Sequence, residues 1–127
     1  MIITKSLTPA QVQATIALGE FPPEVVPAGR NVAVIMTQSW CGQWLIMQPW
    51  IGKEARKQDQ PEIDVYVLEY DREPFFQEFL AFKEKVFGNE SVPYIRFYKD
   101  GRFVRDANAI GKLQFYGVFR DGARKDS

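Results

Sequence analysis

The chain has 127 residues, 46% of them hydrophobic and 25% charged, which is the make-up of one ordinary globular domain. Sixteen Lys and Arg balance sixteen Asp and Glu, so no net positive charge is available to hold nucleic acid. Histidine is absent and cysteine occurs once, which excludes a Ser-His-Asp triad, a Cys-His nucleophile pair, a His-ligated metal and a disulfide within the chain.

Met1 to Lys5 lacks the long apolar segment of a signal peptide, and no run approaches the ~20 apolar residues of a membrane span. The expectation is a cytoplasmic protein without membrane contact, one domain over residues 1–127, with a polar tail from Arg120 to Ser127. Thr8-Pro9-Ala10-Gln11 predicts a helix start: threonine at the N-cap, proline at the first helical position and glutamine at the third, a capping box. Val12 and Ile16 give that helix an apolar stripe, and Gly19 ends it. The Pro- and Gly-rich loop through Phe21-Pro22-Pro23 and Pro27-Ala28-Gly29 is short and apolar, and is expected to pack on the body.

Asn31 to Thr37 predicts a buried strand, and Gln43 to Gln58 a helix that contains Pro49 as a kinking residue. Gln58-Asp59-Gln60-Pro61 ends that helix. Ile63 to Tyr70 is nearly continuously apolar at its centre, the pattern of an interior parallel strand. Asp71-Arg72-Glu73-Pro74 starts a further helix with Phe75, Phe79, Phe82 and Val86 on one face, widened by Phe76, Leu80 and Phe87, and closed by Gly88-Asn89. That wide face reads as buried, with a partner-binding patch as the alternative. Tyr94 to Tyr98 and Arg102 to Arg105 flank Asp100-Gly101 as a hairpin. Ile110, Leu113 and Val118 predict a closing helix, with Asn108 as its cap. The sum is an α/β fold with a mixed sheet and helices on both faces.

The chemistry centres on Cys41. It sits between a strand and a helix, where free N–H groups and the positive end of the helix dipole favour a thiolate. Here Trp40-Cys41-Gly42-Gln43-Trp44 resembles the Trp-Cys-Gly-Pro-Cys motif of the thioredoxin family. Pro49 falls where that family's active-site helix has its proline, and Val92-Pro93-Tyr94 matches the segment carrying its cis-proline. Glu69 to Pro74 resembles the strand end before the third helix, and Phe97 to Gly101 the following hairpin. The resemblance covers about Asn31 to Val118 and implies a thioredoxin-like fold.

Three departures change what it implies. Trp44 replaces the resolving cysteine, Ile35 and Val67 replace the buried acid and lysine, and Gln43 replaces the motif's proline. A first thiolate can attack a disulfide, but this chain has no second thiol to resolve the product. By resemblance, Cys41 is then the nucleophile of a monothiol exchange, with Trp40, Gly42, Gln43, Trp44, Val92 and Pro93 bordering the substrate groove. Glutathione is the candidate external thiol. The implied partners are protein or glutathione thiols and disulfides, with no metal or resident cofactor, on a monomer or weak dimer. Trp44 can equally shield Cys41 by packing over it. The alternative is a non-catalytic scaffold that holds a partner segment beside Cys41 and Pro93. A cluster-binding monothiol glutaredoxin is a third class, poorly matched because bulky Trp44 stands where a small residue is expected.

Overall fold

A computed structural model describes residues 1–54 and 61–121. The chain order is β1 (Ile2–Lys5), α1 (Pro9–Leu18), β2 (Asn31–Thr37), α2 (Gly42–Glu54), β3 (Ile63–Glu69), α3 (Phe76–Lys85), β4 (Tyr94–Lys99), β5 (Arg102–Ala107) and α4 (Lys112–Asp121). A single 3-10 turn, Tyr70–Arg72, joins β3 to the segment before α3.

Five strands form one sheet in the order β1-β3-β2-β4-β5. β3 runs parallel to both β1 and β2, while β4 is antiparallel to β2 and β5. The interior position expected for Ile63 onward is therefore occupied by β3. Alternation of side chains along β2 builds two cores. Ala33 and Ile35 face one, with Trp44, Met47 and Ile51 of α2 and Phe115 and Phe119 of α4. Val32, Val34 and Met36 face the other, with Val12 of α1 and Phe79 and Phe82 of α3. Two helices thus cover each face.

Local signals act where expected. Gln11 N–H donates to Thr8 Oγ1 at 3.1 Å and Thr8 N–H to Gln11 Oε1 at 2.9 Å, closing the capping box. Gly19 adopts φ 81°, the left-handed C-cap that a side chain disfavours. Phe21, Val25 and Val26 are buried, so the proline-rich loop does pack on the body. Asp100 and Gly101 take φ 55° and 80°, the pair of positive values a two-residue hairpin turn requires. At the same sheet face Arg96 stacks between Phe87 and Phe103, 4.1 and 4.0 Å from their centroids, and donates to Glu20 Oε2 at 2.8 Å.

Several expectations are corrected. β1 was not foreseen; its four residues become a strand only by pairing with β3. α3 starts at Phe76 rather than Asp71, because the chain first turns through Tyr70–Arg72 and Pro74 follows. Phe75, Phe79 and Phe82 are buried as expected, but Val86 is 55% exposed at the helix end. Asn108 does not cap α4. Phe115 N–H donates instead to Gly111 O at 2.9 Å, and Gln114 Oε1 accepts from Gly111 N–H. Leu113 is 80% exposed, so it belongs to the outer face of α4. α2 contains Pro49 and is described to Glu54. Its expected end at Gln58 to Gln60 lies outside the described residues, as does most of the polar tail.

Candidate functional site

Register fixes which loops meet. Thr37 at the end of β2 pairs with Glu69 at the end of β3, and Met36 pairs with Tyr94 at the start of β4. The segments 38–41, 70–75 and 92–93 therefore emerge at one end of the sheet.

The first of these carries Cys41. Its N–H donates to Gln38 O at 3.0 Å, and its carbonyl accepts from Leu45 N–H at 3.1 Å as the first bond of α2. Cys41 thus stands at the N-terminal boundary of α2. Its side chain is 3% exposed and joins the core formed by Ile35, Trp44 and Ile95. Gly42 and Gln43, directly after it, are exposed, and open space surrounds Gly42 where a Cβ would stand.

Three polar ties bind this loop to the end of β3. Gln38 Nε2 donates to Tyr70 Oη at 3.3 Å. Ser39 donates twice to Asp71, from N–H at 2.8 Å and from Oγ at 2.6 Å. Trp44 Nε1 donates to Glu69 Oε2 at 2.9 Å, and Arg72 Nε reaches the other oxygen at 3.2 Å. Partial burial pushes the Asp71 carboxyl up, but the two Ser39 donors, helped by a backbone N–H and the charge of Arg72, together hold Asp71 below its ordinary range. Burial pushes the Tyr70 phenol up.

The residues singled out from sequence separate into two groups. Trp40 is 65% exposed, its indole N–H on Gln38 Oε1 at 2.6 Å, and stands on the surface with Gly42 and Gln43. Trp44, at 2% exposed, is turned into the core instead of lining a groove; its polar edge is satisfied by Glu69. Pro93 is buried after a cis Val92–Pro93 bond, and Val92 is half-buried between the two cores. Leu45 and Ile46, at 54% and 67% exposed, are further apolar side chains on the surface of α2. Trp44, Met47 and Ile51 fill the inner face of α2 instead. Gln38, Ser39, Glu69 and Asp71 were missed as loop ties. The available signal was the acidic pair at the end of an interior strand beside the Cys41 loop.

A cavity of about 420 Å³ lies beside Glu20, Tyr98 and Phe103, at the opposite end of the sheet from Cys41. Among the described residues, no group of three or more Cys, Asp or Glu is placed to hold a metal ion, and no helix is long and apolar enough to cross a membrane.

No protein-family model and no curated protein matches this chain in sequence. Solved structures do match in shape. Thioredoxin O2 from Arabidopsis thaliana, in its oxidised state, is 16% identical, with 92% of this chain and 90% of that one covered and a TM-score of 0.55. Thioredoxin O1 from the same plant is 12% identical, covering 90% and 89%, with a TM-score of 0.56. The Malassezia sympodialis thioredoxin Mala s 13 is 15% identical, covering 76% and 77%, with a TM-score of 0.55. At these identities the likeness is one of fold.

Proposed function

We propose that this chain, which has a thioredoxin-like fold, performs monothiol disulfide exchange through Cys41. The observation that carries the reading is the placement of Cys41 at the first turn of α2, at the sheet end shared with Val92 and Pro93. In the exchange, the Cys41 thiolate attacks one sulfur of a substrate disulfide. A new S–S bond to Cys41 forms, the old one breaks, and the other half leaves as a thiolate. An external thiol such as glutathione, as its thiolate, then attacks the partner's sulfur in the mixed disulfide, which releases Cys41 as a thiolate and leaves the external thiol joined to the partner. No second thiol in the chain is required. Trp40, Gly42 and Gln43 border the site on the outside, with Val92 and Pro93 across from them. The same reading sets one domain in the cytoplasm, acting on protein and glutathione disulfides as a monomer or weak dimer.

The 3% exposure of Cys41 puts this exchange behind a local opening. Exchange between a glutathionylated peptide and free glutathione, followed with the wild type and Cys41→Ser, tests the reading. Loss of turnover in the variant supports it; equal turnover ends it.

A second reading rests on a different observation. Trp40, Leu45 and Ile46 are exposed at positions flanking Cys41 in the chain while the thiol itself is buried, which suits a non-catalytic module that holds a partner segment. Under that reading Trp40→Ala weakens partner capture while Cys41→Ser leaves it unchanged.

A further inference from the structure

The segment from Asn89 to Pro93, ahead of β4, is held by side chains from three directions. Lys83 of α3 is fully buried, and its ammonium donates to Asn89 O and Ser91 O, both at 2.8 Å, while lying 5.6 Å from the Tyr94 ring centroid. Asn89 and Asn108 exchange a pair of amide bonds, Asn89 Nδ2 to Asn108 Oδ1 at 3.1 Å and Asn108 Nδ2 to Asn89 Oδ1 at 2.9 Å. Asn89 Oδ1 also accepts from Ser91 N–H at 3.0 Å, and Asn108 Nδ2 donates to Pro93 O at 3.1 Å. The carbonyls of Asn89, Ser91 and Pro93 are thereby all engaged. No hydrogen bond among the described residues uses the N–H or C=O of Val92.

Burying an ammonium costs desolvation, and what offsets it here is the pair of bonds to the Asn89 and Ser91 carbonyls, which an apolar side chain of the same size would leave without this donor. What the arrangement achieves is direction. It fixes the backbone on either side of Val92 and leaves the N–H and C=O of that one residue open for pairing, at the sheet end where Cys41 lies.

We propose that Lys83 and Asn108 are positioning residues of the exchange site, which hold the Val92 backbone so that an extended polypeptide disulfide pairs with it in preference to a small disulfide. This inference rests on the exchange reading of Cys41. Neither side chain touches the reacting sulfurs, so both act through the backbone they hold.

The test compares wild type, Lys83→Met and Asn108→Ala on two substrates: a glutathionylated extended peptide and bis(2-hydroxyethyl) disulfide. Circular dichroism checks that each variant folds, and Asn108, only half-buried, provides the variant less exposed to misfolding. The expected result is a fall of about fivefold or more in the ratio of kcat/KM for the peptide to that for the small disulfide, carried by KM, as loss of one or two modest hydrogen bonds would produce. Amide exchange over Ser91 to Tyr94 should quicken in both variants. Parallel losses on both substrates, or an unchanged ratio, would overturn the positioning role and leave the exchange reading intact. A wild-type chain that exchanges neither disulfide would remove the exchange reading, and the role with it.

Discussion

The indole N–H of Trp44 lies 2.9 Å from Glu69 Oε2 and ties the first turn of α2 to the last residue of β3. The residue standing in place of a second thiol is thus both a core side chain and a loop fastener. The two roles separate by mutation. Trp44→Phe keeps most of the ring and loses the bond; Glu69 retains Arg72 and partial solvent contact, so the cost should be about 1 kcal/mol. Trp44→Ala also opens a cavity and should cost about 3–5 kcal/mol. Urea unfolding followed by circular dichroism measures both, and equal costs would assign the whole effect to the hydrogen bond.

Burial of Cys41 has a direct chemical readout. Iodoacetamide should alkylate the folded chain at least ~10-fold more slowly than the denatured chain, because a buried thiol reacts only through opening. Trp44→Ala should restore much of the lost rate, since Trp44 shares the Cys41 core. Equal rates in folded and denatured protein would contradict the burial.

Ser39→Ala removes one of the two donors that Ser39 gives Asp71. At neutral pH the loss should be about 1–2 kcal/mol, at the low end because Asp71 is partly exposed. The Asp71 carboxyl is lowered in the folded chain, so its stabilisation is present above its unfolded value of 3.8 and disappears as pH falls through the lower folded one. The difference between wild type and Ser39→Ala should therefore narrow on acidification, as measured by urea midpoints across pH. A constant difference would mean that the Ser39 hydroxyl does not act on the carboxylate.

Lys83 is lowered from 10.5 to about 8, by burial first, with the charges of Glu84 and Glu90 working against the shift. Tyr94 supplies the ring beneath it. The unfolded chain binds this proton more tightly, so the group adds stability as pH rises from about 8 toward 10.5. Carbon NMR on ¹³Cε-lysine protein, assigned with Lys83→Met, should show one lysine titrating near 8. Wild type should gain stability relative to Lys83→Met over the same window. A Lys83 midpoint near 10.5 would show an ammonium that stays solvated.

What was legible in the sequence was written in local chemistry. Thr8 and Gln11 specify their own cap within four residues, and Asp100-Gly101 specifies a turn by the φ values it tolerates. β2 and β3 announce themselves because both faces of each strand are apolar. β1 does not, since Ile2-Ile3-Thr4-Lys5 becomes a strand only beside Ile63 to Tyr66. Asn108 looked like a helix cap because asparagine favours that place, but an amide partner on Asn89 and the Pro93 carbonyl claim it. At the site, the motif located Cys41, whereas its burial and the ties from Gln38, Ser39 and Trp44 to the end of β3 depend on parallel register. Short-range patterns do not encode register between strands separated by a helix.

The parallel seating of β1 also bears on how the chain assembles. This four-residue edge strand hydrogen-bonds to a partner near the middle of the sequence, so its pairing closes a long loop that contains α1, β2 and α2. Were it released, the edge of β3 would present an unpaired row of N–H and C=O groups, which a second molecule's Ile2 to Lys5 would match as its own does. At high concentration, reciprocal strand exchange between two chains is the assembly error that such an edge invites.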